Sequence, residues 1–90
     1  MKIKDEYILQ NIAGKDVVID TNARSVNFNK ILALNSTGKI LWEQLEDGAS
    51  CDSLATALVN QFGIDAERAR IDAESFIREL TELGCIENEE

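Results

Sequence analysis

Ninety residues carrying 9 Lys and Arg against 17 Asp and Glu form an acidic chain with a formal charge of −8 and the size of one domain. Such a chain holds one modest core and has little room for a large active site. The charge repels phosphate backbones and anionic lipid, so no nucleic acid and no membrane is expected as a partner. With no His and two Cys, it cannot assemble a four-ligand Cys/His zinc site, a Ser-His-Asp triad or a Cys-His pair. No metal and no cofactor are therefore expected. Cys51 and Cys85 are expected as buried or half-buried thiols rather than as a disulfide. Residues 1–6 contain no apolar h-region, and no run approaches the ~18 apolar residues of a membrane span, so a cytoplasmic protein is expected.

In chain order, Tyr7 to Ile12 reads as a first strand and the β-branched run Val17-Val18-Ile19 as a second. Ala13-Gly14-Lys15 is the turn between them, with Gly14 free to take positive φ, and the two strands make a hairpin. Residues 20–25 are rich in turn formers, and Val26-Asn27-Phe28 alternates as if returning towards the sheet. Ile31-Leu32-Ala33-Leu34 is a short apolar run and the candidate third strand. Three short strands are half a core, and they need helices on one face.

After Leu34 the apolar spacing changes from β-like to helical. Asn35 and Ser36 are suitable N-caps, because a short polar side chain accepts from the free amides of a first turn. The first helix is expected from Ser36 to Glu46, burying Leu41, Trp42 and Leu45 and ending at Asp47-Gly48. Ser50 caps a second helix from Cys51 to Gln61, with Leu54, Leu58 and Phe62 at i, i+4 and i+8, and Gly63 ends it. Asp65 caps a third helix to about Leu83, with Ala69, Ala73, Phe76, Ile77, Leu80 and Leu83 on one broad face, and Gly84 ends that one. Cys85-Ile86 is placed to tuck back onto the core, and the end of the chain, within residues 86–90, is expected as a frayed acidic tail. Residues 1–90 thus form one α+β domain, three short antiparallel strands followed by three helices, of the winged helix-turn-helix type.

The run Leu34-Asn35-Ser36-Thr37-Gly38, followed by Leu41-Trp42, Leu45 and Gly48, resembles the Leu-Asn-x-Thr-Gly/Ala, Ile/Leu-Trp, Leu-x-x-Gly signature of the PqqD-like family. The resemblance continues through Leu54, Leu58 and Phe62-Gly63-Ile64-Asp65. It ends in Ala69, Asp72, Phe76-Ile77, Leu80 and Gly84-Cys85-Ile86, which is similar to the family's closing Asp-Val-x-x-Phe-Leu-x-x-Leu-x-x-x-Gly-Leu-Ile. It implies a recognition element of ribosomally synthesised, post-translationally modified peptide pathways in natural-product biosynthesis. Such a domain is a non-catalytic peptide chaperone. It binds the leader segment of a precursor peptide and presents it to a modifying enzyme, such as a radical-SAM enzyme or a leader peptidase. The leader adds as an extra strand beside the third strand, in the groove between it and the third helix. Carried onto this chain, the peptide would run along Lys30, Ile31, Leu32, Ala33 and Leu34, with Leu32 and Leu34 turned to the core. Ala73, Ile77 and Leu80 would form the opposite wall, flanked by Arg70 and Asp72.

Two positions depart from the family pattern. Members serving the quinone cofactor pathway commonly carry Pro-Glu before the third strand, where this chain has Asn29-Lys30, and this points away from that pathway. Ala73 stands where a Val is usual, which implies a groove shaped for a different side chain.

Strand addition has a plain physical basis. An open edge offers unpaired amides and carbonyls for affinity, and alternating side-chain pockets give selectivity. The leader is then expected to be apolar at alternate positions, with basic residues favoured by the negative field. Three other readings compete. A winged-helix transcription regulator would send the third helix into a major groove, but residues 66–83 hold three Arg against five acidic residues and present no basic patch. A structural module could form a homodimer through the same edge. Catalysis by Glu43 with Asp47, or Asp72 with Glu79, would need burial and perturbed titration, whereas these positions read as exposed. The chain is therefore not expected to be an enzyme.

Overall fold

The computed structural model describes residues 1–21 and 30–87, without the side chains of residues 30 and 31. The element order is β1 (Lys2–Ile3), β2 (Tyr7–Ile12), β3 (Lys15–Asp20), β4 (Lys30–Leu34), α1 (Ser36–Glu46), α2 (Cys51–Phe62), α3 (Ala66–Glu82) and β5 (Ile86–Glu87). The α+β architecture is as expected: β2, β3 and β4 form one antiparallel sheet in that order, followed by the three helices. The segment 26–28, expected to return towards the sheet, lies outside the described residues.

The hairpin β2–β3 closes on Ile12 opposite Lys15, so Ala13-Gly14 is a two-residue loop. Both loop residues have positive φ, 53° at Ala13 and 82° at Gly14, as a type I′ turn requires to match the twist of its strands. Ala13 is therefore a strained L residue. β3 is the central strand, and Val17, Val18 and Ile19 are all buried, so both of its faces are covered. On β4, Val18 faces Leu32 while Ile19 faces Lys30, a bulge that leaves Ile31 as the extra residue and bends the strand.

Each helix begins on the cap foreseen for it. Asn35 Oδ1 accepts from the Gly38 amide at 2.8 Å. Ser50 and Ser53 bond reciprocally at 2.9 and 3.1 Å, a capping box with Ser in the place of the usual Glu. The Asp65 carboxylate accepts weakly from the Arg68 amide at 3.4 Å. The helices bury Leu41, Trp42, Leu45, Leu54, Leu58, Ala69, Ala73 and Leu80 in one cluster with Val18. Phe62 and Leu83, placed on inward stripes by spacing, are instead 41% and 39% exposed, Phe62 as the last residue of α2 and Leu83 as the C-cap of α3.

One element went unforeseen. The segment expected as a frayed tail contributes β5, which pairs with β1 as Lys2 opposite Glu87 and Ile3 opposite Ile86. The Lys4 amide donates to the Cys85 carbonyl and the Cys85 amide to the Leu80 carbonyl, each at 2.9 Å. Two-residue strands carry no periodicity to read. Their pairing follows from Ile3 and Cys85, both buried in the core, which draw the two segments together.

Candidate functional site

β4 lies at the edge of its sheet and is bonded to β3 on one side alone among the described residues. Its far side faces a groove of about 420 Å³, lined by Ala33, Leu34, Asn35, Thr37, Gly38, Leu41, Asp72, Ser75, Phe76 and Glu79. The groove exists because α3 packs closely on α2 and hardly touches β4. The turn from β4 into α1 closes one end. There Gly38 sits in the first helical turn, and a Cβ on it would lie 3.3 Å from Leu34 Cδ2 and 3.4 Å from Phe76 Cε1. Glycine at that point lets the helix start approach Phe76 and leaves the floor of the groove open.

Of the residues expected at the site, Ala33 is exposed, while Leu32 and Leu34 are half-buried and packed against the core. Leu34 also reaches the groove, together with Asp72. The other expected wall residues fall elsewhere. Ala73 and Leu80 are fully buried in the core and Ile77 packs against it, so none of the three lines the groove. Arg70 faces away, beside a separate apolar hollow between α2 and α3 that includes Ala55 and Val59, and it pairs with Glu74 at 3.2 Å. The wall α3 does present is Asp72, Ser75, Phe76 and Glu79, one residue earlier than the stripe expected from Ala73, Ile77 and Leu80. Sequence reasoning also passed over Asn35, Thr37, Gly38 and Leu41 as groove residues. The signal available was Gly38, a poor helix former placed inside a first turn.

The groove is apolar at its floor, through Leu34, Leu41 and Phe76, and acidic at its α3 rim. Asp72 is paired with Arg68 across one helical turn at 3.3 Å, and among the described residues no Lys or Arg lines the cavity. Neither thiol is activated for nucleophilic chemistry. Burial is the largest cause raising Cys51, with Glu74 adding to it, and burial with Asp20 pushes Cys85 up to about 11. Both cysteines are free. The Trp42 indole is wholly buried, and its N–H finds no hydrogen-bond partner among the described residues. Among the described residues, no three His, Cys, Asp or Glu side chains converge as metal ligands, and no helix is long and apolar enough to cross a membrane.

An antiparallel three-stranded sheet whose β4 edge faces a groove walled by the last of three helices defines a small α+β domain. Residues 6–86 match the family model described as Coenzyme PQQ synthesis protein D (PqqD), and the chain belongs to that family. No curated protein matches the sequence. Two solved structures share its fold. One is TbiB1 in complex with the TbiA(beta) leader peptide, with a TM-score of 0.77 and 21% identity over 100% of this chain and 99% of that one. The other is a lasso peptide synthetase B1 complexed with the leader peptide, with a TM-score of 0.71 and 23% identity over 93% of each chain.

Proposed function

We propose that this protein is a non-catalytic recognition element that binds the leader segment of a ribosomal precursor peptide by strand addition to β4. It would present that precursor to a modifying enzyme, of which a radical-SAM enzyme and a leader peptidase are the two kinds considered. The observation that carries the reading is the unpaired edge of β4 running beside the groove to α3. Family membership and two structural neighbours solved with leader peptides support it. An extended peptide laid along β4 gains backbone hydrogen bonds on one side and places every second side chain into the groove. The acidic rim argues against a nucleic-acid partner for the same surface.

The site residues proposed for peptide contact are Lys30 to Leu34 on the strand, with Gly38, Asp72, Phe76 and Glu79 across the groove. The test is a calorimetric titration with the leader segment of a precursor encoded beside the gene, with a scrambled leader as control. Saturable binding is expected, and Ala33→Pro, checked for folding by circular dichroism, should abolish it by breaking the strand edge. Binding that survives in the folded variant would overturn strand addition. The same open edge would also serve a second copy of the chain. A peptide that lowers the sedimenting mass would show the edge to be shared, and one that binds without changing the mass would show the two surfaces to be separate.

A further inference from the structure

Resting on the peptide-binding reading, we propose that the groove selects a leader carrying an apolar residue with a Lys or Arg two positions away, and that Glu79 reads that positive charge.

The floor seats an apolar side chain. Leu34, Leu41 and Phe76 converge there, and Gly38 supplies the depth that a Cβ would fill. The charges at the rim differ in availability. Asp72 is engaged by Arg68 at 3.3 Å, while Arg70 and Glu74 engage each other at 3.2 Å outside the groove. The Glu79 carboxylate, in the groove wall, has neither an ion pair nor a hydrogen bond among the described residues. Among the described residues no basic side chain lines the cavity to offset it, in a chain whose formal charge is −8.

Spacing then sets the position of the charge. Glu79 lies three residues beyond Phe76, about 4.5 Å along the helix axis. In an extended peptide, side chains on one face recur every two residues, about 6.6 Å apart. A residue seated on Phe76 therefore has a same-face neighbour within a lysine's reach of Glu79. An acidic residue at that position would meet the Glu79 carboxylate and, among the described lining residues, no cation, so the groove rejects as well as attracts.

The test is to pan a displayed library of random ten-residue peptides on the full chain at low ionic strength, in parallel with Glu79→Lys and Glu82→Lys. Glu82 is exposed on the same helix and outside the groove, so it controls for net charge alone. Wild-type and Glu82→Lys pools should enrich Lys or Arg two positions from an aliphatic or aromatic residue, and the Glu79→Lys pool should lose that enrichment. A selected peptide should bind Glu79→Gln about five-fold more weakly than wild type and lose affinity with added salt. Binders that depend on the β4 edge, being lost in Ala33→Pro, but show no charge preference would overturn the selectivity and leave strand addition standing. A library yielding no binder sensitive to Ala33→Pro would overturn both.

Discussion

Two stripes of α3, one residue out of phase, meet different surroundings. Ala69, Ala73 and Leu80 have no exposed surface and pack into the cluster around Trp42. Asp72, Ser75, Phe76 and Glu79 line the groove opposite β4. The inner stripe is small where the helix presses on α2 and large where it nears β5, so its residues are chosen by volume. The outer stripe mixes an aromatic ring with carboxylates and a hydroxyl, a composition that packing alone does not call for. One helix thus supports the core on one side and walls the groove on the other. The boundary between them is set by where α2 sits.

Adjacent residues on α3 should separate the two stripes most clearly. Leu80→Ala should lower unfolding free energy by about 2–5 kcal/mol in a denaturant titration, through lost burial and the cavity left behind. Its neighbour Glu79→Ala should change stability by no more than about 0.5 kcal/mol and act on peptide affinity instead. Equal losses at both positions would mean that the two stripes are not distinct.

The buried side also carries a titratable marker. Cys85 has its thiol raised from its ordinary value to about 11, burial being the main cause and Asp20 the next. A raised folded value keeps its contribution below the unfolded pKa, near 9, and loses it as pH climbs through 11. Stability should therefore fall by up to about 2–3 kcal/mol over that alkaline window. Cys85→Ala should flatten this slope relative to the native chain, while Cys51→Ala should leave most of it in place. Identical slopes for all three proteins would remove Cys85 as the cause.

At the groove's closed end, Asn35→Ala should cost about 1 kcal/mol by freeing the Gly38 amide. The smallest effect belongs far from both stripes. Ala13, with φ of 53° in the β2–β3 turn, should accept Asn with a gain of about 0.5–1 kcal/mol and no change in peptide binding. A loss on that substitution would contradict the turn geometry.

These contrasts also show what could be read from residues alone. Caps, glycine stops and helix spans were legible because Asn35, Ser50, Asp65, Gly48, Gly63 and Gly84 act locally, on their own amides or through their own φ. The β2–β3 hairpin was legible for the same reason. The inward turn of Leu32 and Leu34 followed from strand alternation. The phase of α3 was not available in this way. Ala69, Ala73, Phe76, Ile77 and Leu80 make an apolar arc wide enough to serve either the core or the groove, and only the docking of α2 decides which edge of the arc is left uncovered. Arg70 shows the same effect, set beside the groove by helix spacing and turned towards α2 by the packing. The β1–β5 pair was hidden because two residues show no period, and its cause is a contact between the two ends of the sequence.

The sheet has two open edges, β4, proposed to receive the peptide, and β2. Amide hydrogen exchange, residue by residue with and without the precursor's leader segment, tests this most directly. Slowed exchange at alternate amides of Lys30–Leu34, with Tyr7–Ile12 unchanged, is the expected result. Protection that appears along Tyr7–Ile12 instead, or binding with no change at β4, would contradict it.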